Sequence, residues 1–501
     1  MRNDLGREIP ETDRPYRETP APAASKRIPP KAKVGSPAFP KTLSEAFDIL
    51  GVRDGMTLSF HHHLRDGDKV LNLALAEIRR RGLKGLTIAA SSIFPCHAPL
   101  VPLIEDGSVT GIVANYMNGP VADAVCAGKL RNVAIMDTHG GRARAIEAGE
   151  LPIDVAILAA PTADRRGNAT GRVGQSACGS LGYAVPDATF AKKVLLVTDH
   201  LVDRAPFADI DGSRVDAVLA VDSIGDPAGI VSGTTRITKE PVGLKIARDA
   251  VKLLDACGMV RDGMSMQTGA GGTSLAVAAA VRKLMETKGV KGGFASGGIT
   301  AQYVEMLEKG LVERLEDVQD FDLEAVRSIR ENKDHHAISA SEYGNPFHRP
   351  APVVDGLDFV ILGATEVDLD FNVNVTTDSE GRIIGGSGGH ADTAAGAFCT
   401  VVVTNLVKAR LPIVMERVTC VTTPGRDVDV VVTERGIAVH PRRTDLLERL
   451  AGSGLDVVPI RTLMERAHAM TGIPNRPVRN GRVVALVRYR DGSIIDAVRA
   501  K

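Results

Sequence analysis

Two short stretches of this 501-residue sequence gather glycines where a main chain can turn its N–H groups toward an anion. The first is DGMSMQTGAGGTS, residues 262–274, in which Gly269, Gly271 and Gly272 precede Thr273 and Ser274. The second is IIGGSGGHADTAAGA, residues 383–397, in which Gly386, Gly388 and Gly389 precede His390 and Asp392. Glycine allows close backbone approach, and preorganised N–H groups stabilise the oxyanion that forms when a nucleophile adds to an acyl carbon, as in thioester exchange. Taken singly, each loop reads equally well as a tight turn between a strand and a helix.

Other side chains are candidates for holding an anionic substrate. His61, His62 and His63 run consecutively in SFHHHLRDGD (59–68). Three successive side chains point in different directions, and no Cys or Glu stands at ligand spacing, so no metal site is expected. One or two of these histidines, with Arg65, suit a carboxylate or phosphate; the alternative is ordinary core or surface histidine. Arg142 and Arg144 in GGRARAIEAGE (140–150) follow an apolar run and could grip a polycarboxylate in bidentate fashion, or form a solvated basic turn. Glu366 in GATEVDLDFN (363–372) is either a carboxylate inside a cleft or a strand-edge acid. No Ser-His-Asp spacing of the nucleophile-elbow type and no GxxxxGK[ST] phosphate loop is present.

The elements that must position these residues follow from periodicity. A short apolar run, a glycine turn and LAVAAAVRKLM with helical spacing make residues 264–285 a strand–loop–helix unit. The unit has a second copy: DGMTLSFHHHLRDGDKVLNLALAEIRRRGLKG from Asp54 aligns with it through one gap. Val70, Ala74 and Ile78 then fall on Val277, Val281 and Met285, and histidines stand where the later copy has glycines. Apolar runs at 86–90, 111–116, 133–137, 155–160 and 194–199 read as buried parallel strands. The fold class is α/β, with two similar open α/β domains at residues 43–245 and 246–501. Residues 1–42 are proline-rich and poor in large apolar side chains, so they are expected to form a disordered arm whose removal leaves folding intact.

Composition narrows the partners. Sixty-one basic residues balance 61 acidic ones, leaving no bulk field to draw nucleic acid or an anionic membrane. The six cysteines show no paired spacing, and no apolar run is long enough to span a bilayer, which fits a reducing cytoplasm.

Several separated motifs carry a family resemblance. SFHHHLRDGD, GGRARAIEAGELP, APTADRRGNATG, MQTGAGGTSLAV, ISASEYGNP and TEVDLDFNVNV through GGSGGHADTAAGA together resemble the citrate lyase α-subunit family, across nearly the whole chain after residue 40. More distantly they resemble the CoA-transferase superfamily, which implies two open α/β domains with the active site between them. The resemblance implies exchange of acetyl for citryl on a carrier-protein thioester, releasing acetate. It further implies a β (lyase) subunit, a γ (acyl carrier) subunit, and a phosphopantetheine-type, dephospho-CoA-derived group on that carrier, with no cofactor on this chain and CoA thioesters as possible surrogates. Gly386, Gly388, Gly389, His390 and Glu366 would be catalytic; His61, His62, His63, Arg65, Arg142 and Arg144 would bind substrate. Gly269, Gly271 and Gly272 would hold the thioester arm. One departure matters: where the wider superfamily has a nucleophilic glutamate, GFASGGITAQ (293–302) superposes Gly297. A substrate carboxylate must then attack the thioester itself. The alternatives are an acyl-CoA hydrolase, another CoA-transferase, or a citramalate lyase α subunit.

Overall fold

The computed structural model describes residues 1–501 apart from 12–13, 19–26, 232–235 and 476–478. The apolar runs expected to be strands are strands, at Leu86–Ala90, Val109–Ala114, Ala134–Met136, Val155–Ala159 and Lys193–Thr198. They belong to a nine-stranded sheet in which Thr57–Phe60 is a central strand, fourth in order. An eight-stranded sheet is built around Ser265–Thr268. Both follow one route: the chain starts at the central strand, adds three strands outward on one side, then crosses back to build the other. Apart from an antiparallel pair at one edge of each sheet, the strands run parallel, which is why they read as continuous apolar runs.

That shared route is the duplication in three dimensions. The helices Val70–Arg81 and Gly272–Lys288 occupy equivalent places, and Val70, Ala74, Ile78, Val277, Val281 and Met285 are all buried. Each helix stops at a glycine in the left-handed region, Gly82 at φ 67° and Gly289 at φ 65°. The repeat extends to two small three-stranded sheets, Thr162–Asp164 with Ala169–Thr170 and Leu201–Val202, and Glu366–Asp368 with Val373–Asn374 and Val414–Met415. In each, one antiparallel and one parallel neighbour flank the first strand. The turn between the antiparallel partners is held by an aspartate: Asp164 accepts from the Arg166 and Asn168 N–H groups, Asp368 from those of Asp370 and Asn372. The motifs APTADRRGNATG and TEVDLDFNVNV are therefore two copies of one structural turn.

Two expectations about organisation change. Residues 246–501 do not form one sheet system, because Val483–Arg488 pairs in parallel with Ala134–Met136 and Ile494–Arg499 closes the edge as a hairpin. The expected disordered arm is, in its described stretches, docked on the body. Asn3 Nδ2 donates to the carbonyls of Ile494 and Ile495, Arg7 forms a 2.7 Å ion pair with Asp496, and Tyr16 is fully buried. Farther along, Lys31 pairs with Asp216, and Ala38 bridges to Ala217. A few polar and aromatic anchors do this work, so a scarcity of aliphatic side chains gave no sign of it.

Candidate active site

In open α/β sheets, ligands bind beyond the carboxyl ends of the strands where the chain reverses its outward path. Here loops from those ends of both sheets meet around a cleft of about 690 Å³. His62 and Arg65 follow the central strand of the first sheet; Gly269 and Gly271 follow its counterpart in the second. Gly386, Gly388, Gly389 and His390 enter from the second half. The two glycine loops and part of the histidine run thus share one cavity.

Charge inside it is sparse. Arg65 lies over the rings of Phe94 and Phe321, at 5.6 and 4.8 Å, and its Nε and Nη1 have no partner among the described residues. Burial lowers its pKa, yet guanidinium stays charged at any working pH. The lining carboxylate is Asp66, which accepts from the Cys96 N–H at 2.9 Å. The histidines are neutral. Burial pushes His139 down to about 3 and His390 to about 4, and holds His62 well below the ordinary range. His62 is fixed between Ser91 and Gln319, and His390 between Thr423 Oγ1 and the Gly363 carbonyl, so neither ring is free to act as a base.

The glycine loop at 386–389 is pressed into place by its neighbours. A Cβ at Gly386 would lie 2.3 Å from the Asn115 carbonyl oxygen, and one at Gly389 2.6 Å from the Tyr343 hydroxyl. The Gly388 N–H donates to the Asn115 carbonyl, whereas those of Gly386 and Gly389 are bound by no group among the described residues. Asp392, just inside the following helix, accepts from Thr138 Oγ1 at 2.7 Å and the Gly140 N–H at 2.8 Å. It ties this loop to the turn that carries His139, whose Nε2 would lie 3.3 Å from a Cβ at Gly388. Gly297 sits at φ +101°, and a Cβ there would lie 2.5 Å from the Gln267 amide. The space beside Gly297 is filled by Gln267, which donates from Nε2 to the Tyr343 hydroxyl at 2.7 Å.

Comparison with known proteins agrees with this geometry. The family model described as "Citrate lyase, alpha subunit (CitF)" matches residues 38–501. The citrate lyase alpha chain of Escherichia coli K12 is 45% identical over 460 residues, spanning 91% of this chain and 89% of that protein. The chain belongs to the citrate lyase α-subunit family. A Streptococcus mutans structure, the assigned α subunit of citrate lyase in complex with citrate, is 43% identical with a TM-score of 0.96, covering 99% of each chain. A Pseudomonas malonate decarboxylase hetero-tetramer, at 18% identity, TM-score 0.62 and 85% of each chain, shares the fold alone. Membership makes this chain the citrate:acyl-carrier transferase component of a multi-subunit lyase. Among the described residues, no helix is long and apolar enough to cross a membrane.

Several residues expected to serve a citrate lyase α subunit directly lie elsewhere. Arg142 is buried and spends its guanidinium on both Asp187 oxygens, at 2.9 and 2.8 Å, and on Ser59 Oγ at 2.7 Å. Arg144 makes a bidentate pair with Glu150 at 2.8 and 2.7 Å. Both sit in the helix His139–Glu147, which packs inward, so they brace the first half and do not clamp substrate. Glu366 accepts from Asn374 Nδ2 and from the Thr419 N–H and hydroxyl, and does not line the cleft. Gly272 packs against the Arg236 main chain behind the loop. His61 and His63 are buried, their rings 4.2 Å apart, with no hydrogen-bond partners among the described residues.

Other residues escaped the sequence. His139, Gln267, Gln319 and Tyr343 line the cleft, and Tyr343 lay inside a quoted motif, ISASEYGNP. Its SxxE spacing is a capping box: Ser339 Oγ accepts from the Glu342 N–H, and Glu342 accepts from the Ser339 N–H. Behind Gln319, Asp317, Asp320 and His335 form a buried cluster with metal-like spacing, in which His335 Nε2 meets Asp317 Oδ2 directly at 3.0 Å. Burial raises Asp317 to about 8 and Asp320 well above the usual carboxylate range.

Proposed function

We propose that the cleft exchanges acetyl for citryl on a carrier-protein thioester by direct attack of a citrate carboxylate. The observation that carries this reading is the Gly297 site: Gln267 occupies the space a nucleophilic side chain would need, and the lining acid, Asp66, is engaged by the Cys96 N–H. The nucleophile must therefore arrive with the substrate. Arg65, which lines the cleft with its Nε and Nη1 unpartnered among the described residues, would hold a citrate carboxylate. The attacking oxygen adds to the acetyl carbon, the C–S bond breaks, and a mixed citryl–acetyl anhydride and a thiolate result. That thiolate then attacks the citryl carbonyl, and acetate leaves with the C–O bonding pair. Neutral histidines suit this sequence, because His62 and His390 are already hydrogen-bonded and are not poised to activate water.

The thiol would belong to a phosphopantetheine-type, dephospho-CoA-derived group on a γ carrier subunit, entering along Gly269 and Gly271. A β subunit would then cleave the citryl thioester. Mixing the purified chain with acetyl-carrier protein and citrate should yield acetate and citryl-carrier protein in equal amounts. Acetate formed without citrate would instead mark a thioester hydrolase.

A further inference from the structure

We infer that Tyr343 is a catalytic residue, its hydroxyl donating a hydrogen bond to the oxyanion formed at each thioester or anhydride carbonyl; this rests on the transfer reaction proposed above. Its hydroxyl oxygen accepts from Gln267 Nε2 at 2.7 Å, and its own proton meets no acceptor among the described residues. A buried hydroxyl with its lone pair engaged and its proton unspent is a donor awaiting a ligand. Tyr343 lines the cleft, and burial raises its pKa, so the proton stays on oxygen through the reaction.

Three features fix its placement. The capping box at Ser339 and Glu342 fixes the short helix Ala340–Gly344. Gly389 carries no side chain where one would collide with the hydroxyl. Gly297, in a backbone conformation that side chains rarely adopt, leaves the room in which Gln267 reaches Tyr343. Gln267 is thus a positioning residue, and the space beside Gly297 serves to orient a donor. No proton is transferred: the carboxylate oxygen adds, negative charge gathers on the carbonyl oxygen opposite the hydroxyl, and the charge returns as the C–S or C–O bond breaks.

The test is Tyr343→Phe in the full chain, assayed with acetyl-carrier protein and citrate beside the wild-type protein, whose turnover measures the transfer reaction independently. Loss of one oxyanion donor predicts a fall in kcat of about 100-fold or more, with both KM values within about two-fold. A second variant carrying 3,5-difluorotyrosine at 343 keeps shape but ionises more readily, and its alkaline loss of kcat should move to lower pH. Unchanged kcat in the Phe variant, a rise in KM alone, or an alkaline limb that does not move would each overturn the assignment while leaving the transferase reading standing.

Discussion

Arg65 and Arg142 look alike in the sequence and stand in opposite circumstances, so replacing each by alanine should separate function from support. Arg65 has no carboxylate partner among the described residues, and its burial already disfavours the charge. Removing it forfeits two ring contacts worth about 0.5–1 kcal/mol each and relieves a desolvation cost of similar size, so stability should move by no more than about 1 kcal/mol. Its φ of 53° is equally unfavourable for alanine, and the backbone contributes no difference. A charge-assisted hydrogen bond to substrate is worth about 1.5–3 kcal/mol, which predicts a citrate KM raised roughly 10- to 150-fold. Arg142→Ala strands the Asp187 carboxylate, which is completely buried, and should cost about 3–5 kcal/mol of stability. Initial rates against citrate, paired with urea unfolding midpoints, read both effects. If Arg65→Ala binds citrate normally, or unfolds as readily as Arg142→Ala, Arg65 is a structural residue and the account of the cleft is wrong.

Four further outcomes are expected. Gly388→Val places a branched side chain at φ +50° against His139, and displacing the loop should cut kcat about 100-fold or more, with smaller effects on KM. Deleting residues 1–18 removes Arg7 from buried Asp496 and should cost about 3–5 kcal/mol, seen by calorimetry as a fall in Tm of about 10 °C. Direct attack predicts intersecting initial-rate lines and full activity after acetyl-thioester and borohydride treatment; a trapped adduct on Asp66 or any other acid would refute it. Asp317 has a folded-state pKa raised to about 8, so its stabilising contribution is complete below about pH 4 and lost as pH rises through 8. The stability of the wild-type protein relative to Asp317→Asn should therefore decline over that window in urea titrations, by at most about 1.4 kcal/mol per pH unit, and a rising difference would contradict the buried pair.

The two-fold α/β plan was legible because parallel strands buried on both faces advertise themselves as apolar runs, and because a repeated helix keeps its core positions. The second glycine loop was legible for a related reason: close backbone approach leaves glycine no substitute at Gly386 or Gly389. Arg142 and Arg144 misled because a guanidinium after a strand looks the same whether its carboxylate is a ligand or Asp187, 45 residues along the chain. Tyr343 and Gln267 escaped for the opposite reason. Their roles arise only when two strands and a short helix converge, and neither residue type signals a donor by itself. The arm was misjudged because composition counts apolar area, and its anchoring leans on Asn3, Arg7, Tyr16 and Lys31.

The return of Val483–Arg488 to the first sheet has a consequence for how the chain is made. Until that hairpin leaves the ribosome, Ala134–Met136 is an open edge, with unpaired main-chain groups and Asp137 lacking the Arg488 that stands 351 residues later. The second sheet takes all of its strands from residues 265–439, and the helices that cover it from either side also lie ahead of residue 483, so it can form while the first still waits. Nascent chains halted before residue 483 should therefore present a sticky, incomplete half beside a finished one, and such chains are candidates for holdase capture and edge-to-edge association. The hairpin acts as a seal applied late in synthesis, and it makes the earliest-translated half the last to become safe.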